Sequence, residues 1–467
     1  MNCNNTVEEL NQKQSWTERA LLLTIGLGAM LAPLNSTMIA VALPRLIATF
    51  DTTVTAASWL VTTYLIAMAA LQPVAGKLGD RIGRRSLILG GFICFGVVSM
   101  GAAVAPNLPT LIFFRLLQAI SGAIAIPNGT ALVREVVPAH RRATSFGLVS
   151  ALISLAAAIG PPLGGLLVQL AGWQAIFYIN IPLVIAAVSL GWWTIPAREV
   201  ESSRQSFDFI GALLLAMALS GIAAIFTQSR HSSTFLPTSI NLVLVVGLII
   251  VFLWHELRHR DPVIQIRFFR HRVFAAANGA IGLSNLAMYV TILALPQLLT
   301  QQGGWNDFQV GLVLSALSGT LIISSPFGGR LADQFGRRWP TVAGLALLTI
   351  GFVPLVITAG KISLLPLILC LAIAGTGLGV SMTGLQTSAI EALPAKEAGV
   401  ASGVFSTSRY LGSIVGSSLL ASLLKSASGE DSRFGAVFLL VAIAAFVSFL
   451  VSFGLQSRVV LANHQKS

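Results

Sequence analysis

What this chain of 467 residues has least of is charge: Asp, Glu, Lys and Arg make up 10% of it, against roughly 25% in a soluble domain. So few charged side chains cannot cover a folded globule of this size, which excludes a water-soluble fold and makes a bilayer the expected solvent. Cysteine is scarce too. Cys3, Cys94 and Cys370 stand in no CxxC or Cys/His spacing, which leaves neither a disulfide framework nor a thiolate metal site. Histidine numbers six, at His140, His231, His255, His259, His271 and His464, all in expected loops or tails. His255, Glu256 and His259 spell H-E-L-R-H, the literal frame of a zinc-peptidase helix. No third ligand follows downstream and the run sits on a basic connector, so the expectation is no metal, no cofactor and no enzyme chemistry.

Acids are outnumbered by bases, 17 to 29, for a formal charge of +12. In a soluble protein that excess would point to nucleic acid. Here the bases fall in short clusters between apolar runs, so they read as topology markers of a membrane protein and imply no nucleic-acid partner. Residues 1–19 are polar but lead to no small-residue cleavage site, which argues for a short cytoplasmic N-terminal tail rather than a signal peptide.

What the chain does have is apolar length, with 55% hydrophobic residues. A helix needs about 20 apolar residues to cross a bilayer, and fourteen such runs stand between polar breaks. They fall near 20–44, 56–76, 86–105, 109–133, 143–168 and 175–195, then 208–228 and 237–256, then 273–299, 308–329, 340–359, 363–391, 398–424 and 433–456. Between the second and third runs lies Gly76–Arg85, GKLGDRIGRR, and it recurs as Gly329–Arg338, GRLADQFGRR, 253 positions on. Gly122, Pro138, Gly147 and Gly160 likewise match Gly377, Pro394, Gly403 and Gly416 at displacements of 255 or 256. Six spans with their loops would displace a repeat by only about 190 residues, so the offset leaves room for two more.

The predicted architecture is therefore an all-α polytopic membrane protein with two six-helix halves (20–196 and 261–456), a linker and inserted two-helix hairpin (197–260) and a C-terminal cytoplasmic tail (457–467). With the amino terminus inside, 22 of the 29 Lys and Arg residues fall on the cytoplasmic side, five outside and two, Arg115 and Arg409, within spans. Both termini and both repeated loops are thus expected in the cytoplasm of a cell-membrane protein.

GKLGDRIGRR and its second copy resemble the signature loop of the major facilitator superfamily of secondary transporters, and the resemblance covers residues 20–456. The residues suit a moving joint: Gly76 permits close helix approach, Gly83 a tight turn, and Asp80 can accept from Arg84 or a neighbouring helix end; with Arg85 and the copies Gly329, Asp333, Gly336, Arg337 and Arg338 they are the expected switch-loop residues. In the family this loop stabilises the outward-open state. The fifth run holds GPPLGG, with Gly160, Pro161, Gly164 and Gly165, and resembles the antiporter motif of the drug-exporting branches. Gly160 and Gly164 share a helix face that favours close packing. Leu34–Pro44, LNSTMIAVALP, is similar to the 14-span drug:proton antiporters, whose pattern is L-D-x-T-I-x-N-V-A-L-P. Asn35 replaces the aspartate, and an amide cannot carry a proton near neutral pH; Asn35 is left to bond a substrate or a facing helix.

Arg115 and Gln118 lie one turn apart in RLLQA, similar to the family's R-x-x-Q-G, where the arginine is linked to proton transfer. A guanidinium in a span needs a partner and should face a cavity, unless it snorkels to the outer edge. Arg409 in the second half is expected to face the same cavity. Tyr64, Gln72, Asn128, Asn278, Asn285, Tyr289, Gln297, Gln386 and Trp305 complete the polar and aromatic candidates. No acid falls at mid-membrane, and Glu135 and Glu391, at repeat-related helix ends, are the best remaining carboxylates. The expected function is export of small amphipathic or lipophilic compounds by alternating access with proton antiport, the alternative being export of an anionic metabolite. Neither the substrate nor an adaptor protein can be named from sequence.

Overall fold

The computed structural model describes residues 2–52, 54–197, 208–227, 238–259, 262–303, 307–357, 363–426 and 430–456, almost all of them helical and none in a strand. The first half comprises α1 (Asn2–Thr49), α2 (Val54–Ile82), α3 (Arg84–Ala103), α4 (Leu108–Gly122), α5 (Ala125–Val136), α6 (Arg142–Ala171), α7 (Ala175–Tyr178) and α8 (Asn180–Thr194). Next come α9 (Phe209–Thr227) and α10 (Thr238–Arg258). The second half comprises α11 (Arg272–Gly303), α12 (Asp307–Phe335), α13 (Arg338–Ile357), α14 (Leu364–Glu391), α15 (Ala398–Ser426) and α16 (Glu430–Ser452). Among the described residues eleven helices are long and apolar enough to cross a membrane, and Ile210–Ile222 forms a shorter apolar one.

Two expected runs are split, and proline explains both breaks. Pro127 has no amide hydrogen to donate to Ala123, four residues back, and the turn between α4 and α5 falls at residues 123 and 124. Pro182 stands in the same relation to Tyr178, where α7 gives way to α8. In the opposite sense, α1 begins at Asn2 without interruption, so the backbone of residues 2–19, expected as a tail, continues the first helix.

Each half has its own apolar core. Leu21, Phe92, Phe95 and Phe146 pack in one cluster of the first half, and Met38, Leu111, Trp173 and Phe177 in another. Phe274, Leu345, Phe352, Phe438 and Val441 pack in the second. The perimeter is apolar as well: Trp193 is 86% exposed and Ile357 79%. In water such a surface would aggregate, whereas against acyl chains it needs no cover. α9 packs on both halves at once and α10 packs on α9: Leu214, Leu215 and Leu219 of α9 and Phe252 of α10 share a cluster with Ile66, Ala69 and Ala70 of α2 and Ile414 of α15.

Candidate functional site

Apolar helices gain little hydrophobic energy from one another in lipid, so the polar side chains inside each half decide what the bundle holds. Arg115 on α4 is fully buried and does not snorkel. Its Nη1 donates to Asn35 Oδ1 of α1 at 2.9 Å and to Gln118 Oε1 at 3.0 Å, and its Nε to the Leu60 carbonyl of α2 at 3.3 Å. The guanidinium carbon lies 4.1 Å from the Tyr64 ring centroid, a desolvated cation–π contact worth about 2 kcal/mol. Gln118 passes the network on, donating from Nε2 to Ser99 Oγ at 2.7 Å, and Asn180 Nδ2 reaches the same hydroxyl at 3.4 Å.

Every named partner of Arg115 is neutral. Among the described residues its Nη2, the Asn35 Nδ2 and the Tyr64 hydroxyl are buried without a hydrogen-bond partner, so the cluster carries a positive charge and spare donors. Tyr410 of α15 packs against the cluster that contains Tyr64, and the Arg409 guanidinium stands 5.3 Å from the Tyr410 ring centroid. The two span arginines, expected across one cavity, each lie against a tyrosine, Arg115 in the first half and Arg409 in the second.

The halves meet along two seams related by the sequence repeat. On α2 and α15, a Cβ on Gly76 would lie 2.2 Å from the Gly399 carbonyl oxygen, and one on Gly403 would lie 2.5 Å from Pro73 Cα. On α12 and α6, a Cβ on Gly329 would lie 2.4 Å from the Ala143 carbonyl oxygen, and one on Gly147 would lie 3.1 Å from Pro326 Cα. No larger residue fits these backbone approaches without displacement. Cross-seam hydrogen bonds add to them: Thr407 Oγ1 donates to the Ala69 carbonyl at 2.6 Å, and Thr130 bonds Ser402.

Both seams end at the repeated loops. Gly83 and Gly336 adopt φ of 100° and 85°, a conformation side chains rarely take, which lets each chain turn sharply into the next helix. In the first loop Arg84 pairs with Asp80 at 2.6 Å and with Glu135, and Arg85 donates to the Trp192 carbonyl at 2.8 Å. In the second, Arg337 pairs with Asp333 at 3.1 Å and with Glu391 at 3.5 Å, and Arg338 lies 5.1 Å from the Trp339 ring centroid. Asp333 also crosses the seam, accepting from the amides of Ala143 and Thr144 at 3.1 and 2.8 Å and from Thr144 Oγ1 at 2.8 Å. It thereby caps the first turn of α6, where a carboxylate meets unpaired amides and the positive helix end. Arg134 reaches the other way, to the carbonyls of Ile390 in the last turn of α14 and of Leu393 just past its end.

The antiporter-type glycines pack α6 on α1: a Cβ on Gly160 would lie 1.8 Å from Thr37 Oγ1, and one on Gly164 2.9 Å from Met38 Cα. Gly165 is half-buried on the same helix, and the Pro161 side chain lies outside the described residues. Asn128 is built into the scaffold, donating to the Ala75 and Ile124 carbonyls at 2.9 Å each. Asn278 similarly joins α11 to α15 through Ser408 at 2.9 Å. Asn285, Gln72 and Gln386 are buried and Tyr289 half-buried; Gln297 and Trp305 lie outside the described side chains. Sequence reasoning missed Ser99, Asn180, Thr144 and Arg134. The first two were visible as polar residues in apolar runs, and Arg134 as a cation in a helix's last turn. It also did not join Asp208 to the H-E-L-R-H run: the Asp208 carboxylate lies 2.8 Å from His255 Nε2 and 3.7 Å from His259 Nδ1.

A helical membrane protein whose repeated halves close on each other along two glycine seams, over a sunken polar cluster, has the architecture of a small-molecule transporter. The chain belongs to the Major Facilitator Superfamily, whose description matches residues 25–260 and 277–465. It is 34% identical over 448 residues to the uncharacterized MFS-type transporter YvkA of Bacillus subtilis (strain 168), covering 96% of this chain and 98% of that one. Multidrug resistance protein Stp of Mycobacterium tuberculosis (strain CDC 1551 / Oshkosh) is 31% identical over 87% of this chain and 76% of its own. Riboflavin transporter RibZ of Clostridioides difficile (strain 630) is 27% identical over 90% of this chain and 91% of its own. Among solved structures the proton:xylose symporter XylE superposes with a TM-score of 0.67 at 14% identity, over 95% of this chain and 98% of that one. The likeness to that symporter is one of fold alone.

Proposed function

We propose that the chain is a secondary exporter that moves small amphipathic or lipophilic compounds out of the cytoplasm by alternating access, in exchange for protons. The observation that carries this reading is the pair of repeat-related seams, Gly76 on Gly399 and Gly329 on Ala143. Two repeat-related joints at one end of the bundle, closed by backbone approach and by polar contacts that can exchange, suit a rocking motion about a central site. On the positive-inside argument that end is cytoplasmic, as are both termini, and the protein lies in the cell membrane. Added to the eleven long apolar helices, which include α10, the helical stretches α9, α12 and α15 support a count of fourteen spans, with α9 and α10 as an inserted hairpin. The name of the relative Stp favours drug-like cargo, and the antiporter-type packing of Gly160 and Gly164 favours export. Asn35, Tyr64, Arg115, Gln118 and Arg409 are the residues proposed to meet substrate. An adaptor protein is not required by this reading.

One observation favours a second reading, export of an anionic compound. Arg115 is buried with neutral partners and a spare Nη2, so an entering carboxylate or phosphate would supply the missing countercharge. Proteoliposomes separate the two. Dye or drug flux driven by an imposed pH gradient supports antiport; no flux, with none restored by Asn35→Asp, defeats it. Competition by small organic anions that disappears in Arg115→Gln supports the second reading.

A further inference from the structure

The cluster at the base of α9 and α10 is used by neither the seams nor the central site. Asp208 caps α9, its Oδ1 accepting from the Gly211 amide at 2.8 Å. His255 lies in the last turn of α10 and His259 follows the helix directly, its amide donating to the His255 carbonyl at 2.8 Å, which brings the two ring centroids to 5.1 Å. Asp208 Oδ1 is 2.8 Å from His255 Nε2 and Oδ2 is 3.7 Å from His259 Nδ1. One ligand atom from each of the three lies within 4.8 Å of the others. Tetrahedral zinc with bonds of about 2.0–2.2 Å separates its ligand atoms by about 3.3–3.5 Å, a spacing these distances bracket.

A second observation points into the same spot. The Asp208 side chain is 2% exposed, yet its Oδ2 accepts no hydrogen bond among the described residues, and neither does the buried Glu256 Oε1. Both oxygens crowd Gly211, 2.4 and 2.7 Å from where a Cβ would stand. Two buried carboxylate oxygens without donors among the described residues, side by side, are unfavourable unless a cation or a shared proton lies between or beside them. The Glu256 Oε2 is committed to the Ile264 amide at 2.9 Å, so Glu256 stands behind the site and is not one of its ligands. The imidazoles are the open side, 17% and 28% exposed.

We propose that Asp208, His255 and His259 bind one divalent d-block cation, Zn²⁺ foremost, which staples the start of α9 to the end of α10. Two imidazoles and a carboxylate select such an ion over Mg²⁺ or Ca²⁺, which prefer all-oxygen sites. Water fills the open position. The third ligand precedes the histidines by 47 residues and comes from another helix, so the H-E-L-R-H frame serves here as half of a clamp. Ala212 of α9 packs with Val74 of α2 and Val263 of the following connector, which ties the clamp to a helix of the moving seam.

The test uses full-length protein in detergent, purified without a histidine tag, stripped with chelator and dialysed against Zn²⁺. The expected result is one retained zinc per chain and a rise in melting temperature that Mg²⁺ does not reproduce, with both lost in His255→Ala/His259→Ala. Equal retention by wild type and variant, or none by wild type, overturns the proposal. Should the variant not fold, the Co²⁺-loaded wild type decides: an intense ligand-field spectrum of a low-symmetry nitrogen-ligated site supports the clamp, and the weak spectrum of an octahedral aqua ion sinks it.

Discussion

The two signature loops share one sequence pattern, yet they hold the halves together in different ways. Gly76 and Gly329 do the same work, each bringing a backbone carbonyl of the other half to contact distance. Their aspartates differ. Asp80 is bonded by Arg84 of its own half, whereas Asp333 spans the seam onto the first amides of α6. The first loop mainly organises α2, α3 and α5, with Glu135 as the third member. The second is a latch between halves, and Arg134 reinforces it from the opposite side. A duplicated motif can thus keep its glycine geometry, which backbone approach dictates, while its charges take on separate tasks.

The strongest way to break this comparison is to fill both seams. Gly76→Leu and Gly329→Leu are each expected to abolish transport while the protein still inserts, because the obstructing atoms are backbone and cannot turn aside; flux in inverted vesicles checks this. Next comes the contrast itself. Asp333→Asn removes charge-assisted bonds across the seam and is expected to shift the balance of states by about 2–3 kcal/mol, on the order of 30- to 150-fold. Asp80→Asn is expected to shift it by about 1 kcal/mol or less. Labelling of a cysteine placed in the seam, in each background, reads the difference, and equal labelling would erase the distinction drawn between the loops. Arg134→Ala should resemble a weaker Asp333→Asn, at about 1–2 kcal/mol, since several of its bonds are to carbonyls of the other half. The smallest effect sharpens the shared part: Gly83→Ala and Gly336→Ala should each lower stability by about 1–2 kcal/mol, alike in both loops, because positive φ is what both glycines supply. Thermal unfolding of the two variants measures it.

Much of the framework was legible because bilayer thickness, glycine and charge each leave a local mark. Span length and the 253-residue offset are properties of the chain alone. The same offset reappears in space as Pro73 and Pro326 inside α2 and α12. The splits after Gly122 and Tyr178 could have been read from Pro127 and Pro182, but an apolar count treats proline as neutral. The partners of Arg115 were only half legible. Gln118 is one turn away, but Asn35 and Tyr64 stand 80 and 51 residues off, and nothing local says which face of α1 or α2 turns to α4. A carboxylate bonding a neighbouring helix end was expected of Asp80, and it is the repeat-related Asp333 that does so. That it caps α6, while Asp80 stays within its half, depends on how the halves dock. Asp208 was missed for a related reason: its counterpart histidines make a recognisable frame by themselves, which drew the search downstream.

The packing of α9 and α10 has a consequence for how the protein is approached from its surroundings. Leu214, Leu215 and Leu219 lie over Ile66 and Ile414, where α2 meets α15. A compound dissolved among the acyl chains meets this pair before it meets that joint, and must displace α9 to slip between the halves there. The two joints match internally but are not equally open to the membrane, so the molecule presents a front and a back to anything that diffuses in the plane of the bilayer.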